Sequence, residues 1–594
     1  MKSLLVISGA SLDILHFSGQ TARSAGGSGM YTASAAHRMG GQVSLLGPYP
    51  DVMPELLQPF TDRVNWFGPV VPVAELPHFE ILHEEEKTTY LTFFSGAEAD
   101  LTPDSLPDDL SQYTYVHIGP LGTAARQRHF FDACKRYGAR KISVNCFGPA
   151  AEHEADTVRR LIKDADLFFC NEDEATYLFG STEQAKTEPG KLLFVTLGAG
   201  GANVIQGDHT THIPAPVVNA LDVTGAGDTF SGTTLMGLAD HQHPIIAARR
   251  AVQLAAQMIQ FVGPTALWQE EAPITDTRDQ RVIPNETQIN RVSKIVAELP
   301  DIQPFNYSDA NFPPIGHPKL LDFLFTAVLQ QFSFWKTKDG RYHQPLIAPI
   351  AGKERKGSDF LWQAYLRPLE SDPAWYSPAH QAALTQNKME AHFQDDDGSM
   401  PMPALDLHLS QAQAYGRDML ALNLTPAKIV EHANRTDTPL ATFLETLTHI
   451  GGYKEDYLQK KVALLAVILI ERPEKLLCPA PDEVIPPIID YHLQRSCLRT
   501  GIIDVVDNEL HQKLEERRIL PPADEQAVRE AAYDAIQQVA ARSSKSMAAV
   551  DWFFFNARRY CPEMSEPLCD QCLVDSVCAH RKTLFQPVLR TTFY

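Results

Sequence analysis

The run Asp222-Val-Thr-Gly-Ala-Gly-Asp-Thr229 constrains this chain more than any other stretch, because it places two glycines and two carboxylates at the start of a helix. Residues before it, Thr211 to Asn219, read as extended chain, and those after it, Phe230 to Ala239, read as a helix of small residues. A glycine turn that opens a helix leaves backbone N–H groups without acceptors and sets the positive end of the helix dipole behind them. Gly225, Ala226 and Gly227 are therefore the expected anion hole for phosphate oxygens. Asp228 sits at that hole, where a carboxylate can take the proton of a hydroxyl attacking the terminal phosphate of ATP. A capped turn without a ligand is the plain alternative.

Four other stretches lie in a matching order. Gly26-Gly27-Ser28-Gly29-Met30, followed by Ala33, Ala35, Ala36 and Gly40, is a glycine turn running into a small-residue helix. Val6 to Asp13 is a first strand and a carboxylate that follows it, Asn171-Glu-Asp-Glu174 follows the apolar run Leu167 to Phe169, and Thr196-Leu-Gly198-x-x-Gly201 follows the run Leu192 to Val195. Together with the Asp222 to Thr229 run, these make residues 1 to about 265 resemble the ribokinase-like, PfkB-type sugar and nucleoside kinases. The resemblance implies an α/β domain with a central, mostly parallel sheet, helices on both faces and a small β lid. It implies that Asp228 is the catalytic base, that Asp13, Gly26, Gly27 and Thr32 bind the sugar, and that Glu174 helps organise Mg2+ and phosphate, with Asn171 in the same ATP-binding set. Thr196, Gly198 and Gly201 would hold ATP. Thr32 stands where we expect Asn in that family, and Asn145 where we expect Asp. Phe79 to Thr89 is the expected lid segment, with a homodimer through the lid as one assembly open to the chain.

A chain of 594 residues is more than twice what such a domain needs. We expect a kinase domain over 1–267, a linker and entry segment over 268–318, and a third region over 319–594. The segment after Leu267 is rich in Pro, Asn, Asp and Gln, with one expected helix from Gln288 to Leu299. Beyond it the apolar spacing is mostly helical, as in Leu320 to Phe332, Ala404 to Leu420, Leu458 to Ile470 and Asp524 to Ala541. No apolar run is long enough to span a bilayer and no leader precedes the first strand, so a cytoplasmic location is expected. The net charge is −21 and neither half is basic, which argues against duplex DNA as the partner and toward a small-molecule nucleoside.

Cys561-x7-Cys569-x2-Cys572-x5-Cys578 crowds four thiols into eighteen residues. With one Cys-x2-Cys pair instead of two, the spacing suits a [4Fe–4S] cluster held by four thiolates, and zinc is the alternative metal. The other cysteines, Cys134, Cys146, Cys170, Cys478 and Cys497, read as core residues. With the aromatic helix Val550 to Asn556 before it, the tail resembles the iron–sulfur tail of helix-hairpin-helix DNA glycosylases. His449-Ile-Gly-Gly-Tyr-Lys454, Tyr457 to Ala463 and Ile488-Ile-Asp490-Tyr-His-Leu-Gln-Arg495 resemble that family's hairpin, lysine segment and catalytic carboxylate segment. The resemblance implies a mostly α-helical glycosylase-like domain in which Asp490 is catalytic and Lys460 or Lys461, with Lys461 preferred, is a second catalytic group. Leu321 to Trp335 and Gly357 to Leu369 are similar to segments of the queuosine salvage hydrolases, with Trp335 as a substrate-binding ring.

The two halves imply one sequence of reactions. A nucleoside is phosphorylated on its 5′-hydroxyl by ATP, and its N-glycosidic bond is then hydrolysed to free base and ribose 5-phosphate. A DNA-repair glycosylase fused to a sugar kinase and a non-catalytic nucleoside sensor are the competing readings.

Overall fold

A computed structural model describes residues 2–17, 20–84, 87–269, 278–300 and 302–594. The chain divides into two compact units, Met1–Thr277 and Arg278–Tyr594.

The first unit is built on a nine-stranded sheet. From one edge to the other its strands are His209–Ile213, Ala202–Gln206, Leu192–Thr196, Leu167–Asn171, Ile142–Asn145, Tyr115–Ile118, Ser3–Ile7, Gln42–Leu46 and Asn65–Phe67. Pairing is parallel from Leu192–Thr196 to Asn65–Phe67, and the other edge closes with two antiparallel pairs. Leu4, Leu5, Val6 and Ile7 are all fully buried, as a central parallel strand covered on both faces requires. A separate four-stranded sheet, in the order Gln20–Gly26, Ser11–Phe17, His78–Glu84 and Lys87–Phe94, is the expected lid. The expected lid residues 85 and 86 lie outside the described residues. Asp13 falls on a lid strand, one turn beyond the central strand Ser3–Ile7.

Two helices converge on the ends of the central strands. Ser28–Arg38 and Ala226–Ala239 pack so closely that a Cβ on Gly232 would fall 2.1 Å from the Thr32 carbonyl oxygen. Small residues at this crossing bring the N-terminal turns of both helices into one site.

The second unit is mainly helical. Its longest members are Pro522–Ser543, Leu405–Ala421, Glu286–Glu298, Lys460–Glu471 and Met547–Ala557. Short hairpins pair Trp335–Lys338 with Arg341–Pro345 and Ile347–Ile350 with Lys353–Lys356. The helix Glu286–Glu298, within the stretch expected as a linker, buries Ile289, Val292 and Val296 in the same core as Leu493, Val528 and Ile536. The strand Val282–Pro284 also pairs with Ile503–Val505. Both elements are therefore structural parts of the second unit. No helix among the described residues is long and apolar enough to cross a membrane.

Candidate functional sites

In the first unit, Gly225 caps the helix Ala226–Ala239 in the left-handed region at φ 75°. A Cβ there would lie 2.3 Å from the Tyr31 ring, so only glycine fits. The first turn leaves the N–H groups of Gly227 and Asp228 without intrahelical acceptors, and Gly227 is exposed. The two carboxylates of the run have different duties. Asp222 is fully buried and accepts from the N–H groups of Thr224 at 2.9 Å and Gly263 at 2.8 Å, which pins the turn. Asp228 stands at the mouth. Its Oδ1 accepts from Ser28 Oγ at 2.5 Å and Asn145 Nδ2 at 3.1 Å, and its Oδ2 accepts no hydrogen bond among the described residues. Burial raises the Asp228 carboxyl above its ordinary range, opposed by the Ser28 and Asn145 hydrogen bonds.

Asp13 is buried beside the glycine turn. A Cβ on Gly26 would lie 1.8 Å from its Oδ2, so Gly26 makes room for the carboxylate. Gly27, at φ 94°, packs on the Gly9 carbonyl. Burial brings the Asp13 carboxyl to about 7, against the nearby Ser11 hydroxyl and the Phe79 N–H that it accepts at 3.2 Å. Glu98 is a further acid that sequence reasoning passed over. A Cβ on Gly9 would lie 2.0 Å from its Oε2, and burial raises it to about 7 as well. Its only signal in the sequence is the bare glycine just after the first strand.

Thr32 is a correction. It is fully buried at the crossing of the two helices and its hydroxyl has no partner, so it lines no open sugar pocket. The neighbouring Tyr31 is buried as well, against Gly225, and burial first and then the charges of Asp222, Asp13 and Asp228 raise its phenol. Asn171 and Glu174 form a reciprocal capping box, Asn171 N–H to Glu174 Oε2 at 2.9 Å and Glu174 N–H to Asn171 Oδ1 at 2.8 Å. Burial lifts Glu174 to about 7, and the Asp228 charge adds to that rise. Thr196 ends its strand, Gly198 has open space around its α-carbon, and Gly201 at φ 97° packs on the Ile213 carbonyl. Gly198 is the member of that set open to a ligand, whereas Gly201 serves the hairpin.

Residues 10–271 match the model of the pfkB family carbohydrate kinases, which makes this part of the chain a PfkB/ribokinase-like carbohydrate kinase domain. The chain is 26% identical to the ribokinase of Bacillus subtilis (strain 168) over 278 residues, 43% of this chain and 92% of that protein. It is 30% identical to a fructokinase of Klebsiella pneumoniae over 206 residues, 31% of this chain and 65% of that one. It is 28% identical to the aminoimidazole riboside kinase of Salmonella typhimurium (strain LT2) over 172 residues, 26% of this chain and 52% of that protein. A solved nucleoside kinase of Burkholderia thailandensis in complex with inosine is 20% identical, with 46% of this chain and 96% of that chain covered at a TM-score of 0.39.

The second unit holds two sites of its own. Cys561, Cys569, Cys572 and Cys578 line one small cavity with Arg499, Thr500, Phe553 and Phe554. Arg499 Nη1 donates to Cys561 Sγ at 3.2 Å and the His580 N–H to Cys578 Sγ at 3.3 Å, contacts that favour thiolates. Burial pushes Cys578 up to about 11, and the other three sulfurs add to that rise. Tetrahedral zinc, with Zn–S bonds near 2.3 Å, needs sulfurs only ~3.8 Å apart. Among the described residues, no three of these sulfurs lie within 4.8 Å of one another, and the one tight group is Cys569 with Asp575 and His580.

A second cavity, of about 300 Å³, is lined by Lys460, Asp490, Asp551, Arg558 and a set of rings that includes Phe334, Trp362 and Trp552. Asp490 caps the helix Tyr491–Thr500, its Oδ1 accepting from His492 N–H at 2.8 Å and Leu493 N–H at 2.9 Å. Burial raises its carboxyl, opposed first by the Lys460 charge and then by those two N–H groups. Two expectations are corrected here. Lys461 is absent from the lining. Its Nζ donates to the Leu329 carbonyl at 3.1 Å and sits over the Phe332 ring, whereas Lys460 reaches the cavity. Trp335 is also absent, being buried and stacked on Tyr342 at 5.1 Å, whereas its neighbour Phe334 lines the wall.

The expected hairpin lies between the helices Pro439–Leu447 and Lys460–Glu471. Its amides turn inward, Gly451 N–H donating to Asp418 Oδ2 at 2.7 Å and Gly452 N–H to Glu455 Oε1 at 3.1 Å. Lys454 pairs with the same Asp418 at 2.9 Å.

Proposed function

We propose that this protein phosphorylates the 5′-hydroxyl of a modified, purine-like nucleoside and then hydrolyses the N-glycosidic bond of the 5′-monophosphate, in a queuosine-like salvage reaction. The kinase step follows from Asp228. Its free Oδ2 takes the proton of the acceptor hydroxyl as the oxygen bonds to the γ-phosphorus of ATP, while the bond to the departing ADP breaks. The amides of Gly227 and Asp228 receive the developing phosphate charge. Glu174, fixed by its capping box with Asn171, would help hold Mg2+, which supplies charge neutralisation on the phosphates. Asp13, with Glu98 and Tyr31 near it, would receive the sugar hydroxyls. The similarity to an aminoimidazole riboside kinase supports a nucleoside acceptor.

The observation that carries the second step is the cavity in which Asp490 and Lys460 meet a wall of aromatic rings. Breaking the C1′–N bond builds positive charge on the sugar, which a carboxylate beside it stabilises while it takes a proton from attacking water. The rings suit a flat base, and the volume suits a nucleoside-sized ligand. The four cysteines would hold a [4Fe–4S] cluster as part of the framework behind this cavity. The inward-turned amides of Gly451 and Gly452 support a free nucleotide over duplex DNA as substrate, because Asp418 holds the place a backbone phosphate would take. Tyr90, Leu91 and Phe93 stand exposed on the lid strand, a face suited to a homodimer.

The test incubates the full-length protein with ATP, Mg2+ and a panel of guanosine, inosine and 7-deazaguanosine, and measures free base by chromatography. Base is expected from the nucleoside only with ATP, and from the 5′-monophosphate without it. Equal release from unphosphorylated nucleoside without ATP overturns the sequence of steps.

A further inference from the structure

A second carboxylate, Asp551, lines the same cavity as Asp490 and Lys460, and the inference drawn from it rests on the glycosidase reading of that cavity. We propose that Asp551 is the proton donor to the leaving base, with Asp490 as the ionised carboxylate that faces the sugar. The assignment begins with the helix Met547–Ala557, which brings Asp551, Trp552 and Phe555 to the cavity. Asp551 and Phe555 are four residues apart and so share a helix face. Trp552 stacks on Phe305 at 5.1 Å and on Phe555 at 6.0 Å, which makes this the aromatic, base-receiving side. Asp490 and Lys460 arrive from other elements.

The surroundings of the two acids separate their roles. Asp490 accepts two backbone N–H groups at a helix N-terminus and faces the Lys460 ammonium, all of which favour its charged form. Asp551 accepts no hydrogen bond among the described residues. Burial and then the Asp490 charge push its carboxyl well above the usual range, opposed by Lys460, and Tyr307 also feels its charge. Two neighbouring buried carboxyls do not both ionise, and the proton resides on the one with fewer donors.

The step balances as follows. The C1′–N bond breaks with its electron pair leaving on the base, and the Asp551 O–H gives its proton to a ring nitrogen of that base. The oxygen of one water bonds to C1′ and its proton passes to Asp490, then to Asp551, which restores both groups. Nucleotide and water become base and ribose 5-phosphate.

The test uses the full-length protein and two kinds of probe. Inosine and 7-deazaguanosine 5′-monophosphates need a protonated leaving group, whereas p-nitrophenyl β-D-ribofuranoside 5-phosphate releases nitrophenolate without one. Asp551→Asn is expected to slow base release at least about 100-fold. The same variant is expected to change nitrophenolate release by less than about threefold, while Asp490→Asn slows both. Wild-type base release should fall as pH rises and Asp551 loses its proton, and Asp551→Asn should lack that limb. Equal loss on both kinds of probe, or an unaltered pH profile, overturns the assignment of Asp551. Wild-type protein that releases neither base nor nitrophenolate defeats the glycosidase reading and this proposal with it.

Discussion

Ser28 Oγ donates to Asp228 Oδ1 at 2.5 Å, and Asn145 donates to that same oxygen, so the carboxylate is held from one side and offers its other oxygen outward. Two elements far apart in sequence, the glycine turn at 26–29 and the helix opening at 225–228, therefore orient one base. Asp228→Asn should lower kinase kcat roughly 1,000-fold with little change in KM for ATP. Ser28→Ala should act differently. The serine hydrogen bond lowers the Asp228 carboxyl, so its loss raises that group further. The base works ionised, so the acidic limb of the kcat profile should move to higher pH. A limb that stays in place contradicts the role given to Ser28.

Gly225→Ala combines a left-handed backbone with a Cβ driven into the Tyr31 ring. A loss of about 3 kcal/mol is expected, read as a lower melting temperature of the kinase unit together with lost phosphotransfer. Adding Tyr31→Ala should recover part of the stability, because the clash has been removed. Purely additive effects would show that the ring is not the obstacle.

Lys460 and Lys461 should separate cleanly. Lys460→Met removes the charge that most lowers Asp490, so the acidic limb of base release should shift to higher pH. Lys461→Met should leave that limb alone and alter stability instead. Burial lowers the Lys461 ammonium to about 8, so at neutral pH the fold carries a buried charge. The unfolded chain keeps its proton to near 10.4, so stability gains from this residue as pH rises from about 8 to 10, by on the order of 3 kcal/mol in total. Chemical denaturation at pH 7.5 and 9.5 should show this gain in the wild type and a smaller one in the variant.

The cysteine tail predicts roughly four iron and four sulfide per chain after anaerobic purification, with visible charge-transfer absorption. Cys572→Ser should abolish that absorption. One zinc per chain without sulfide would replace the cluster in this account.

Duplex binding offers a direct contrast. With the hairpin amides given to Asp418 and Glu455, affinity for a 20-base-pair duplex in physiological salt should be weaker than about 100 µM, the weak end of non-specific DNA binding. Tight, salt-sensitive binding would favour a repair enzyme.

The sequence disclosed segments far better than faces. Asp228 was legible because Gly225, Gly227 and the carboxylate are adjacent, so their chemistry survives without knowledge of the packing. Two of the corrections fall one residue along the chain from the expected position. Lys460 lines the cavity where Lys461 was expected, and Phe334 where Trp335 was expected. One step turns a helical side chain by about 100° and sends a strand side chain to the opposite face, and a local match does not contain that angle. Asp551 and Glu98 left no spacing signal at all. Their significance comes from burial and from neighbours about 60 to 90 residues away, in one case across a bare glycine.

The helix Tyr491–Thr500 begins at Asp490 and ends among the cysteines, where Arg499 and Thr500 line the thiol cavity. Ten residues make a rod of about 15 Å of continuous hydrogen-bonded backbone. On the proposed reading, a group held by the four sulfurs would anchor one end of a lever whose other end carries Asp490. Oxidative damage to the tail would then be felt as a misaimed acid at a distance, and tolerance of air would become a property of the geometry around Asp490.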